Sequence, residues 1–202
     1  MMLHSIALIA GTVLAHATIN PPVTNSAYAA FIVRVPHGCN STNTLQVTVQ
    51  IPKGVTSVKP KKIYGWRLLT STRNLDTPIT SESGAVITTE IDSVTWTDGN
   101  LPDSEFEEFP LSVKLPFPAT DGTKFYFPVI QQCVVGSNNW TQIPGPGVPL
   151  QFPAPSLVAM ANNTLVQFNG TFVQAQMQSV KSLSKSYSYS LAIQSIFLMM
   201  AL

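Results

Sequence analysis

Leu45-Gln46-Val47-Thr48-Val49-Gln50-Ile51 alternates apolar and polar residues without a break. Side chains of an extended chain point to opposite faces in turn, so the run predicts a strand with one face buried and one wet. Pro52-Lys53-Gly54-Val55 closes it as a turn, because proline and glycine punctuate regular structure. Upstream, Phe31-Ile32-Val33-Arg34-Val35 reads as a second strand, ended by the turn Pro36-His37-Gly38-Cys39.

The same grammar continues downstream. Gly65-Trp66-Arg67-Leu68-Leu69 and residues 85–97 give two more strands, with residues 71–84 as a polar loop between them. Phe109, Leu111, Val113 and Leu115 line one face of the next strand, and Phe125-Tyr126-Phe127-Pro128-Val129-Ile130-Gln131-Gln132-Cys133 follows as core. With 16 prolines and 11 glycines in a chain rich in Val, Thr, Ile and Phe, long helices are disfavoured. Short strands at this spacing predict an all-β fold, a β-sandwich. Residues 143–155 are Pro/Gly-rich and read as a return loop, and residues 156–172 supply a last strand, which closes a domain over 16–172.

The two ends differ from this body. Residues 1–15 carry an apolar run, Ile6 to Leu14, with small residues at Val13 and Ala15, the pattern of a secretory signal peptide. Residues 173–190 fill with Ser, Gln and Lys and read as a tether; residues 191–202 are an apolar tail too short to span a bilayer. A short tail behind a polar spacer fits a glycolipid (GPI) anchor signal, so the expected location is secreted and attached to the cell surface. In that compartment Cys39 and Cys133 are expected to form a disulfide rather than a copper–thiolate site. Sequons at Asn40, Asn139, Asn162 and Asn169 mark glycan acceptors. Net charge is +1 with 10% charged residues, which argues against nucleic acid as a partner; Lys59, Lys61 and Lys62 read as a solvated turn.

Cleavage after Ala15 has a chemical consequence. The mature chain then begins with His16, whose α-amine and imidazole Nδ1 can close a chelate ring on one metal ion. Amine and imidazole nitrogens suit Cu(II), the strongest binder of the divalent first-row series. Both donors must be unprotonated, so binding weakens as acid is added.

Several fragments, in order, resemble the YcnI-like secreted copper-binding domain: His16-Ala17-Thr18-Ile19-Asn20-Pro21, Arg34-Val35-Pro36-His37-Gly38-Cys39, Val49-Gln50-Ile51-Pro52-Lys53-Gly54-Val55, Lys59-Pro60 with Gly65-Trp66, and Val94-Thr95-Trp96. Leu101-Pro102-Asp103, Phe106-Glu107-Glu108-Phe109, Phe127 to Cys133, Asn139-Trp140-Thr141 and Pro153-Ala154-Pro155 continue the set. The resemblance implies an immunoglobulin-like or cupredoxin-like sandwich that binds Cu(II) through a brace with one histidine. It places the ligands at His16 and Glu108 with a nearby tryptophan at Trp140. The implied role is copper acquisition, handover or buffering, with a membrane copper transporter as partner.

Strand parity sets Glu108 with Pro110 and Ser112 on the face opposite Phe109, Leu111 and Val113, but only the motif prefers Glu108 to Glu107. Trp140 reads equally as core. No nucleophile elbow, Ser/His/Asp grouping, phosphate loop or two-metal carboxylate cluster is present, so no enzyme is expected. The alternatives are a copper monooxygenase acting on polysaccharide, which would need His37 as a second histidine ligand, and a structural wall protein.

Overall fold

A computed structural model describes residues 16–160 except 82, 117 and 148, together with the backbone of residues 165–168 and 171–174. The expected leader, the tether beyond its first two residues, the apolar tail and the sequon residues Asn162 and Asn169 lie outside the described residues. The strands are, in order, β1 (Thr18–Asn20), β2 (Val23–Thr24), β3 (Tyr28–Val35), β4 (Thr44–Gln50) and β5 (Thr56–Pro60). A long pair follows, β6 (Arg67–Thr80) and β7 (Val86–Thr97), then β8 (Glu107–Lys114), β9 (Lys124–Tyr126) and β10 (Val129–Cys133). β11 (Ser137–Trp140) and β12 (Ser156–Ala159) complete the first compact unit. β13 (Leu165–Phe168) and β14 (Thr171–Gln174) form an antiparallel hairpin in a second unit. Among the described residues there is no helix.

The first sheet has the order β1-β3-β8-β5 and the second β11-β10-β4-β7-β6; a small sheet, β2-β12-β9, is hydrogen-bonded separately and packs its Leu157 into the same core. Period-two patterning explains how the two large sheets share one core. Phe31, Val33 and Val35 of β3 and Phe109, Leu111 and Val113 of β8 are buried, as are Val47 and Val49 of β4 and Val94 and Trp96 of β7. Phe109 is fully buried, with Trp66 edge-on at 5.2 Å and Trp96 tilted at 5.1 Å between ring centroids. Gly99 lets the Trp66 indole lie flat on the backbone, since a Cβ there would come within 2.3 Å of the ring. The expected all-β sandwich is what the chain forms.

One end of the sandwich is tied twice. Cys39 follows β3 and Cys133 closes β10, and the two are bridged. Beside the bridge Gln131, fully buried, donates from Nε2 to the His37 carbonyl (2.7 Å) and to Thr44 Oγ1 (2.6 Å), while its Oε1 accepts from Asn138 Nδ2 (3.0 Å). A buried amide costs stability unless its bonds are made, and here they are made to three separate segments.

Two local expectations change. Residues 71–84 are mostly strand rather than loop: β6 pairs with β7 as far as Thr80↔Val86, with register shifts after Ser71 and Asn74. Both faces of this ribbon are largely exposed, so its Ser- and Thr-rich sequence lacks the alternation that marks a half-buried strand. At its root Arg73 donates to Glu90 (2.6 Å), Asp92 (2.8 Å) and the Ile51 carbonyl (2.8 Å). Burial works against that charge, but the bonds to the two carboxylates outweigh it and hold the Arg73 pKa above its ordinary value. The segment after His16, which Pro21-Pro22 predicts to be an extended, stiff arm, is extended but built into the sheets: β1 pairs with β3 and β2 runs parallel to β12.

Candidate metal centre

Register brings Glu108 to the end of the first sheet at which β1 begins, two residues after His16; Trp140 lies on the second sheet. Thr18 on β1 pairs with Arg34 on β3, and Arg34 pairs with Glu108 on β8, so the three form one row across the sheet. Ala17 and Ile19 point into the core, as does Phe109; Thr18, Arg34 and Glu108 therefore share the outer face. The row is the first of β1 and nearly the last of β3, and His16 stands just beyond it.

Arg34 donates from Nε (3.1 Å) and Nη2 (2.5 Å) to the same oxygen, Glu108 Oε1. Its guanidinium also lies 4.6 Å from the centre of the Phe106 ring, which fixes the side chain from behind. Among the described residues nothing donates to Glu108 Oε2. Glu107 stands in register with the fully buried Val35, and its Oε1 accepts from the Glu108 backbone N–H at 2.9 Å. Of the two adjacent carboxylates, Glu108 is the one on the outer face with an oxygen to spare.

His16 has its ring set by the backbone. Its Nε2 lies 3.0 Å from the Gln151 carbonyl oxygen. A carbonyl only accepts, so Nε2 carries the hydrogen, and in the neutral ring Nδ1 then holds the lone pair. The acceptor is itself held: Gln142 N–H bonds to Phe152 O (3.0 Å), Ala154 N–H to Gln142 O (2.8 Å), and Phe152 N–H to Gln142 Oε1 (2.7 Å). Gln142 comes two residues after Trp140, so the end of β11 carries the clamp on the His16 ring.

Trp140 itself pairs with Val129 and is buried in the sandwich interior. An indole N–H has no lone pair to offer, so Trp140 can shape the surroundings of the site but not donate to a metal. His37 faces other partners, the Gly38 carbonyl and the Asp103 carboxylate at 3.7 Å. Among the described residues no group of three or more His, Cys, Asp and Glu is arranged to hold a metal ion. A one-histidine brace has only two such side chains, because its third donor is the α-amine that cleavage would create. The residues present fit Cu(II): an Nδ1 lone pair held open by the bond at Nε2, and an outward carboxylate with one oxygen free.

Sequence reasoning missed Arg34 and Gln151. A charged outward residue on a strand is ordinary, and only the register shows that Arg34 faces Glu108. Gln151 acts through its main chain, which leaves no trace in residue type.

A comparison with curated proteins finds no match. The chain is similar to a solved structure of an uncharacterized protein from Nocardia farcinica described as having an immunoglobulin-like fold. The two are 26% identical, the match covers 72% of this chain and 99% of the other, and the TM-score is 0.53. The sequence also matches a family described as a domain of unknown function, DUF1775, over residues 16–159. That is the same family as the YcnI-like domains, and the match takes in the cysteine bridge, the Arg34–Glu108 row and the clamp on His16. The chain belongs to the DUF1775 family.

Proposed function

We propose that the mature protein is an extracellular Cu(II)-binding domain whose site is the α-amine and Nδ1 of a processed His16 with the carboxylate of Glu108. The observation that carries this reading is the bond from His16 Nε2 to the Gln151 carbonyl. Histidine ligands to metals characteristically donate their second N–H to a carbonyl or carboxylate, which selects the tautomer and the ring orientation. A bound Cu(II) would supply a nitrogen-preferring Lewis acid capable of one-electron reduction to Cu(I). The protein's part is to hold Nδ1 open and to keep Glu108 pointed outward through Arg34. Trp140 forms part of the packed interior behind the clamp.

The role is copper acquisition, handover or buffering, with a membrane copper transporter as the natural partner and a lipid anchor as the attachment. Asn40 and Asn139, the sequon residues proposed as glycan acceptors, are exposed, and the Asn40 Nδ2 donates to the Val135 carbonyl (3.1 Å). The reading of a monooxygenase with two histidine ligands is less well supported, because His37 is turned toward Gly38 and Asp103.

The test starts from secreted protein whose N-terminus has been read by intact mass. Titrated with Cu(II), it is expected to give one equivalent and an EPR spectrum with nitrogen coupling, and both are expected to disappear in His16→Ala and in protein that retains Ala15. Stoichiometric binding unaffected by the retained residue would sink the brace.

A further inference from the structure

We infer that the groove beside Glu108, on the outer face of the first sheet, docks an acidic segment with an apolar centre on the protein that exchanges metal with this one. The inference rests on the metal reading above for its purpose, but not for its geometry. Outward positions of a one-sided sheet are normally polar, yet β3 presents Ala30 and Ile32 there, and β8 presents Pro110. Together with Pro21 and Pro60 they line a groove of about 410 Å³.

Its place follows from register. Asn20, Ile32 and Pro110 form the row next to Thr18, Arg34 and Glu108. Two residues along a strand is roughly 7 Å, so a side chain seated on Ile32 and Pro110 reaches the neighbourhood of Glu108. The row beyond is Ala30, Ser112 and Lys59, and Lys61 is held beside Pro110 by its N–H bond to the Pro110 carbonyl (3.0 Å). Lys59 and Lys61 line the groove, Lys62 follows them, and all three are exposed. Among the described residues none of the three has a carboxylate partner, whereas Arg34, Arg67 and Arg73 are each paired.

An apolar floor with an unneutralised basic flank calls for the opposite pattern in its occupant: an aliphatic side chain for the groove and carboxylates for the lysines. The occupant's carboxylates lie toward Lys59, whose row is two removed from that of Glu108. A bilayer fits less well, since membrane-seated faces project their apolar side chains and these residues line a concavity. The footprint is that of a transient encounter, which handover requires.

The test uses the metal-free, isotope-labelled processed protein, so it does not depend on whether His16 binds copper. The probe is a short acetylated peptide with one leucine between pairs of glutamates, and its counterpart has lysines in place of the glutamates. The glutamate peptide is expected to shift the amides of Ile32, Lys61 and Ser112, the lysine peptide to leave them in place, and Lys59→Glu with Lys61→Glu to weaken the first response about tenfold or more. Both substituted residues are on the surface, so the variant keeps its fold, checked by its unchanged thermal transition. Equal response to both peptides overturns the proposal. So does a double variant that loses instead binding to phosphatidylserine vesicles, which would make the occupant a membrane, or self-association seen by sedimentation, which would make it a second copy.

Discussion

Replacing both Cys39 and Cys133 by alanine removes a crosslink whose worth can be worked from the chain. The two residues are 94 apart in sequence, with Cα atoms at 5.9 Å. For a closed loop of that length, the entropy withheld from the unfolded chain amounts to about 4.7 kcal/mol at 25 °C. That is an upper figure, because unfolded chains retain some compaction; the expected loss is about 2–4 kcal/mol, a large part of the ~5–15 kcal/mol that holds a domain together. The transition midpoint is expected to fall by roughly 10 °C. Urea unfolding, followed by tryptophan fluorescence from the buried Trp66, Trp96 and Trp140, measures both the free energy and its slope. The slope should rise in the variant, since an uncrosslinked chain exposes more surface. A loss under about 1 kcal/mol with an unchanged slope would refute the reasoning and assign the stability of this end to the Gln131 network instead.

Three further outcomes are expected. Glu108→Gln should weaken Cu(II) binding about tenfold or more in a calorimetric titration while Glu107→Gln leaves it within about twofold, since only Glu108 faces outward with a free oxygen; equal effects would remove Glu108 from the site. Arg73→Met should cost about 2–4 kcal/mol, because it strands the Glu90 carboxylate, whose side chain is 7% exposed, without its cation; urea unfolding reads this directly. Asp98 is held below its ordinary pKa by the hydrogen bond from Arg67, so it contributes stability present above the unfolded carboxylate value and lost as the pH falls through the folded one. Asp98→Asn should therefore lower stability modestly at neutral pH and flatten the acid limb of the pH–stability curve, the two proteins converging below about pH 4, and a steeper limb would contradict it.

The sandwich was legible where burial is one-sided. Val47, Val49, Phe109, Leu111 and Val113 announce their face because each alternate residue meets the same core. Legibility failed where no face is buried: the outer part of β6, from Ser71 to Thr80, is largely wet on both sides and reads as a polar loop. It failed also for groups that act across strands. The outward placement of Glu108 follows from parity, but its bond to Arg34 follows from a register that no local pattern encodes. Gln131 looked like part of an apolar run, and its role as a buried amide with every bond made depends on His37, Thr44 and Asn138 arriving from elsewhere in the chain. The terminal histidine was visible only because the cleavage pattern singled it out, and the acceptor that orients it was not visible at all.

That acceptor has a genetic consequence. The oxygen that receives the His16 N–H belongs to the main chain of residue 151, and every residue type carries the same oxygen. A point substitution at 151 therefore cannot delete the bond, and the position is free to drift. An insertion or deletion between Gln142 and Ala154 moves the oxygen itself and breaks the pairings that fix it. Inheritance at this site should accordingly preserve the length of the segment while letting its letters change, the reverse of what is expected where a side chain does the holding.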